Sequence, residues 1–240
     1  MGILLNPDNI DFKKALNSEI YIDKTGLITY TNGVINTEQQ YICVSRPRRF
    51  GKSMAADMLI AYYSRSCDSR EMFSKYKIAK ADSFEKHLNK YNVIHINMVN
   101  FLSHGNSMTE VISYLERRLI HELKREYSDV DCFDWNDLIS VLEDIFAEKK
   151  TPFVFIIDEW DCIFRRHKED SDSQTIYLDF LRNLLKNKSY VALAYMTGIL
   201  PIKKYGEHSA INVFYEYSMT DAKPISEFTG FTEDEVKFLC

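Results

Sequence analysis

Tyr41-Ile42-Cys43-Val44-Ser45-Arg46-Pro47-Arg48-Arg49-Phe50-Gly51-Lys52-Ser53 joins a short apolar run to a basic turn and then to a helix-forming stretch that ends near Tyr63. Strand, tight turn and helix N-terminus is the order a phosphate-binding loop needs. Backbone N–H groups at the helix start face the phosphates, and the helix dipole adds partial positive charge. In that arrangement Lys52 reaches the β- and γ-phosphates, the Ser53 hydroxyl ligates Mg²⁺, and Gly51 lets the backbone approach an oxygen closely. The full pattern is GxxxxGK[ST]; Arg46 stands where the first Gly belongs, so the match is degenerate. Pro47 removes one backbone donor. Arg46, Arg48 and Arg49 either replace lost N–H contacts with charge or block and reshape the site. With Phe50, Gly51, Lys52 and Ser53 they form the candidate nucleotide-binding set.

A second motif answers the first. Phe153-Val154-Phe155-Ile156-Ile157 is an uninterrupted apolar run of the kind a strand buried on both faces requires, and it delivers Asp158-Glu159-Trp160-Asp161 at its carboxyl end. Ligands of open α/β sheets lie at that end of the strands. Asp158 is the candidate Mg²⁺ holder and Glu159 the candidate base for an attacking water. The alternative is a surface strand end capped by acids. Between the two motifs there is room for a further strand, Asn92–Val99, and two helices. A strand at Tyr190–Met196 ends in Thr197-Gly198, where Thr197 is either a sensor of the γ-phosphate or a simple strand-to-loop threonine. A weaker strand is expected at Val213–Ser218.

Helical periodicity fills the gaps. Lys52–Tyr63 carries an apolar stripe at Met54, Met58, Ala61 and Tyr62; Ser107–Tyr127 steps through Val111, Leu115, Leu119 and Leu123; Asn136–Ala147 and Gln174–Leu185 repeat the pattern. Arg165–Ser173 has no apolar residue and reads as an exposed loop. Short apolar runs alternating with helices predict a three-layer α/β fold with a mainly parallel, five-stranded sheet flanked by helices. Thr232 with Glu235 makes a capping box for a last helix that reads as cut short at Cys240.

Composition narrows the function. The chain has 240 residues, 45% hydrophobic and 27% charged, with a net charge of −5. That balance argues against bulk electrostatic binding of nucleic acid. No apolar run approaches a membrane span, and the N-terminus lacks a basic n-region, so neither a membrane anchor nor a signal peptide is expected. The five cysteines are scattered without a CxxC pair, and the six histidines, His87, His95, His104, His121, His167 and His208, show no ligand spacing. Neither disulfides nor a zinc site is expected, and a cytoplasmic location is the default.

Taken together, Tyr21-Ile22-Asp23-Lys24-Thr25, the Arg46–Ser53 loop, Ile157–Asp161, Thr197-Gly198-Ile199-Leu200 and Gly230-Phe231-Thr232 resemble the bacterial AAA-ATPase-like family over nearly the whole chain. In that family an ATPase-like domain commonly precedes a PD-(D/E)XK nuclease-like domain. The resemblance implies a P-loop, AAA-like fold, ATP and Mg²⁺ as ligands, and Arg-Pro-Arg-Arg-Phe as a family trait in place of the Gly-led loop. It implies that Tyr21–Thr25 helps to frame the nucleotide base; the residues themselves equally suit a structural Asp23–Lys24 ion pair. No nuclease activity carries over onto these residues. The expected organisation is one AAA-like domain: a lead-in at 1–39, a nucleotide-binding core at about 40–220, and the start of a truncated C-terminal region at 221–240.

The leading expectation is a slow Mg-dependent ATPase acting as a nucleotide switch for a downstream region or a protein partner, with homo-oligomers in view. The first rival is a non-hydrolysing, degenerate P-loop module serving as a regulatory scaffold. A small-molecule kinase is a second rival, poorly served by the acidic loop at 165–173. Arg165 and Arg166 suit either an arginine offered to a neighbour's γ-phosphate or a solvated face; charge this dense favours the solvated face.

Overall fold

The computed structural model describes residues 2–202, 212–220 and 224–239. His208 and Cys240 lie outside the described residues. Five strands, β1 (Tyr41–Ser45), β2 (Asn92–Asn97), β3 (Phe153–Asp158), β4 (Val191–Gly198) and β5 (Tyr215–Tyr217), form one sheet in the order β2-β3-β4-β1-β5. Every pairing within it is parallel. β4 therefore lies between the strand that leads into the phosphate loop and the strand that ends in Asp158.

Strand side chains alternate between two cores. Phe153, Phe155 and Ile157 face one layer, with α6 (Met108–Glu126), α7 (Leu138–Lys149), α8 (Cys162–Arg166) and α9 (Ser171–Leu185). Val154 and Ile156 face the other, with α1 (Ile10–Leu16), α2 (Gly26–Val34), α3 (Lys52–Tyr63) and the short α4 (Arg70–Phe73) and α5 (Phe84–His87). The outer edge of β2 is covered by the N-terminal segment: the His95 amide donates to Leu4 O at 2.8 Å and the Asn6 amide to Val93 O at 2.7 Å. Glu122 on α6 fixes that segment by accepting the Leu4 and Leu5 amides at 2.9 and 2.8 Å.

Several boundaries differ from expectation for identifiable reasons. β2 stops at Asn97, not Val99, because the Asn97 side chain accepts the Val99 amide at 3.1 Å and turns the chain. The loop expected at Arg165–Ser173 is mostly helical: α8 runs through Arg166, and α9 starts at Ser171, capped by Asp170. α3 is buried nearly all round rather than along one stripe, and Met54 from the expected stripe is 39% exposed. α1 and α2 lie in the lead-in. α2, GLITYTNGV, is a poor intrinsic helix former held by the burial of Leu27, Ile28, Thr31 and Val34. The capping box forms as read: Thr232 Oγ1 accepts the Glu235 amide at 3.3 Å, and Glu235 accepts the Thr232 amide at 2.7 Å, opening α10 (Glu233–Leu239). No helix among the described residues is long and apolar enough to cross a membrane.

Candidate functional site

The phosphate-loop candidate leaves β1 at Ser45 and enters α3 at Lys52. Two left-handed residues make the turn, Arg49 at φ 70° and Gly51 at φ 72°. Gly51 suits this conformation, which is uncommon for a residue with a Cβ such as Arg49. Lys52 is 6% exposed, and its Nζ donates to Pro47 O at 3.0 Å, so the ammonium lies inside its own loop. Burial pulls the Lys52 pKa down, and the carboxylates of Glu159 and Asp158 oppose that pull.

Ser53, Asp158 and Thr197 come together although they are far apart in sequence. Ser53 Oγ donates to Asp158 Oδ2 at 2.7 Å. Thr197 Oγ1 donates to Asp158 Oδ1, which also accepts the Glu159 amide at 2.9 Å. Asp158 is 2% exposed and Thr197 fully buried. The parallel sheet produces this convergence, because β3 and β4 end side by side at the carboxyl edge where α3 begins.

Glu159 sits at φ 53°. Its carboxylate is ion-paired to Arg165, whose Nε lies 3.1 Å from Asp161 Oδ2. Arg165 is therefore not part of a solvated face; α8 carries it back onto the acids that precede it. Asp161, fully buried, also accepts the Ile199 and Leu200 amides at 3.1 and 2.8 Å and so joins the end of β3 to the end of β4. Gly198 is required at this junction, because a Cβ there would come within 2.6 Å of Trp160 Nε1. The cavity over these groups, about 550 Å³, is lined by Arg48, Ser53, Asn97, Asn100, Asp158, Glu159, Arg165 and Arg166.

The three loop arginines diverge. Arg48 lines the cavity over Asp158 and Glu159. Arg49 lines a separate apolar cleft of about 160 Å³ on the other side of Gly51, with Phe50, Met54, Tyr21, Ile22, Phe228 and Phe231. Arg46 joins neither: it is 3% exposed and donates to Thr229 Oγ1, Ser45 O and Tyr217 O, each at 3.2 Å. Its guanidinium pins the loop to β5 and the segment after it. Met54 is exposed because it walls the cleft.

Tyr21–Thr25 also differs from its expected ion pair. Asp23 accepts the Thr25 amide and hydroxyl at 2.9 and 2.7 Å and the Lys77 amide at 2.8 Å. Lys24 instead reaches Glu235, at 2.6 Å, and Glu227 O, at 2.7 Å. The segment and α10 are thereby tied together across the apolar cleft. The Gly230 amide donates to Phe50 O at 2.9 Å, and Gly230 adopts φ 78°.

Asn97 and Asn100 carry no motif in the sequence, and Asp161 closes the acidic motif without a role of its own there. Asn97 ends β2 beside Asp158, a position hidden by the expectation that the strand ran on to Val99. Arg165 had a partial signal, standing six residues after Glu159.

Asp57 on α3 adds a pH dependence. Burial, with repulsion from Asp11 and Asp158, pushes its carboxyl up to about 7 from 3.8. Between those values the folded chain holds a proton that the unfolded chain has lost, so stability falls as pH rises through that window. Asp57→Asn is expected to flatten this slope in denaturant midpoints measured from pH 4 to pH 7; an unchanged slope would count against the burial account.

The donor set suits Mg²⁺: hydroxyl and carboxylate oxygens are hard ligands, and this ion keeps several waters and phosphate oxygens, so one or two protein oxygens suffice. Among the described residues no group of three or more His, Cys, Asp or Glu forms a cage for a metal.

No curated protein matches the chain. Solved structures it is similar to include C. elegans PCH-2, at 13% identity over 89% of this chain and 48% of that one, TM-score 0.40. Others are the Aeropyrum pernix ORC2 protein in its ADPNP–ADP complexes, at 10% identity over 88% and 51%, TM-score 0.42, and Cdc6p from Pyrobaculum aerophilum, at 9% over 89% and 49%, TM-score 0.37. The chain spans about half the length of each of these structures, and likeness this loose carries no argument about the site. The three-layer α/β architecture with its loop between β1 and α3 is the P-loop fold, the family model described as a predicted AAA-ATPase matches residues 10–206, and the chain belongs to that AAA-ATPase-like family.

Proposed function

We propose that this chain is a Mg-dependent ATP-binding domain that hydrolyses ATP slowly and acts as a switch for a downstream region or a protein partner. One observation carries the reading: Ser53 and Thr197 hydroxyls converge on Asp158 at the N-terminus of α3, directly after Gly51 and Lys52. Lys52 exchanges the Pro47 carbonyl for β- and γ-phosphate oxygens, and the α3 amides supply further donors. Ser53 and Asp158 hold Mg²⁺, which when bound neutralises charge on the β- and γ-phosphates. Arg48 reaches the phosphates from the same cavity. Glu159 accepts the proton of the attacking water, and Thr197, bonded to Asp158, is the sensor of the γ-phosphate.

The nucleotide base occupies the apolar cleft beside Gly51. Phe50, Tyr21 and Phe231 give it aromatic and apolar walls. The segment from Phe228 to Glu235 closes that cleft through Gly230 and the Lys24–Glu235 pair, which supports a switch that moves the C-terminal segment. Residues 1–240 act here as one nucleotide-binding unit, monomeric or in a homo-oligomer, without membrane or direct nucleic-acid contact, in the cytoplasm.

Thermal unfolding of the wild type and Lys52→Ala, with and without Mg-ATP, tests this. Ligand at a hundredfold its Kd adds about 2.7 kcal/mol, a shift on the order of 5–10 °C for a chain of this size. The wild type is expected to shift and Lys52→Ala to lose the shift. No shift in either at millimolar ATP would sink the reading. A second reading, a non-hydrolysing nucleotide-bound scaffold, draws on the Arg165–Glu159 pair, which occupies the candidate base.

A further inference from the structure

We infer that Arg165 is an intrachain brake on hydrolysis: it draws the Glu159 carboxylate into an ion pair and withholds it from the attacking water. The inference rests on the nucleotide reading above and adds its regulation.

Each part of the brake is fixed. The Glu159 backbone is set by its amide on Asp158 Oδ1, 2.9 Å, and by its carbonyl accepting the Cys162 amide, 3.0 Å. Arg165 lies one helical turn after Asp161, to which its Nε is 3.1 Å. Asp161 is itself locked by two backbone donors. The pair is shielded as well: the Arg165 and Glu159 side chains are 22% and 24% exposed, against 58% and 59% for the Arg70–Glu85 pair on the surface. A surface pair is loosened by water and salt; this one stands inside the cavity that Ser53 and Asp158 line. An Arg165 N–H takes Glu159 Oε2, and this charge-assisted bond ties the carboxylate to α8 rather than to an attacking water. Arg165 is thus a positioning residue, acting through Glu159.

Removing the brake should free the base. If the pair is engaged in about nine molecules of ten, turnover is held down about tenfold. Steady-state hydrolysis at saturating Mg-ATP is therefore expected to show kcat up about tenfold in Arg165→Ala, with KM within about twofold. Arg165→Lys, which keeps the charge but loses the fork, should fall between. Arg165→Ala combined with Glu159→Gln should show no gain. A purely structural Arg165 would instead lower kcat and thermal stability together. A fall in kcat with stability kept would mean that the guanidinium serves the phosphates, and it would overturn the brake, as would unchanged turnover. The Mg-ATP shift in thermal unfolding separates the two claims. Its absence from the wild type and Arg165→Ala alike overturns the nucleotide reading and the brake with it; its presence with no rise in turnover overturns the brake alone.

Discussion

Glu159→Gln is expected to lower ATP turnover roughly 10²-fold while leaving the Mg-ATP shift in thermal unfolding intact. A positioned general base contributes about 10²–10⁴-fold. The low end applies because Arg165 already withholds the carboxylate in much of the population. Glutamine preserves size and one acceptor oxygen, so the left-handed backbone at Glu159, set by Asp158 and Cys162, stays in place. What is lost is the basic oxygen. Single-turnover assays with bound ATP read the chemical step without product release. Turnover equal to a measurable wild-type rate, with the nucleotide shift present, would remove Glu159 from catalysis; no turnover in either would leave the scaffold reading. A loss of the shift as well would mean that the pair with Arg165 holds the site together.

Most of the fold was legible because the signals are local and strong. A five-residue run of β-branched and aromatic residues such as Phe153–Ile157, opened by Thr151-Pro152, reads as a buried strand, and its acid follows in the next position. Lys52–Tyr63 was legible to its ends, since Gly51 precedes it and good helix formers fill it. What was illegible depends on tertiary contacts. α2 contains two glycines, an asparagine and two threonines, and only burial makes it a helix. The three arginines look equivalent along the chain, yet the two left-handed residues at 49 and 51 send their side chains to a polar cavity, an apolar cleft and a buried polar anchor. Lys24 pairs with a residue more than two hundred positions away, and no local pattern records that. Arg165 was misread because charge density along the sequence says nothing of the turn that brings α8 back over Glu159.

Asp161→Ala should be the most damaging single change near the site for stability, although the acidic motif gives this residue no role. Its carboxylate is fully buried and serves three partners: the amides of Ile199 and Leu200, and Arg165. Hydrogen bonds to a charged acceptor contribute about 1.5–3 kcal/mol each, and unmet donors cost more when shielded. Two lost amide bonds therefore predict a loss of roughly 3 kcal/mol or more. For a chain of this size that is a fall in Tm on the order of 10 °C. Asp161→Asn keeps one acceptor oxygen and should lose about half as much. The effect should reach function too, because the released segment follows directly on Thr197 and Gly198, whose approach to Trp160 leaves no spare room. Calorimetry of both variants, with and without Mg-ATP, checks this. A fall of less than about 3 °C in the alanine variant would mean that water replaces the carboxylate at Ile199 and Leu200 without cost, and that the ends of β3 and β4 are held by the sheet alone.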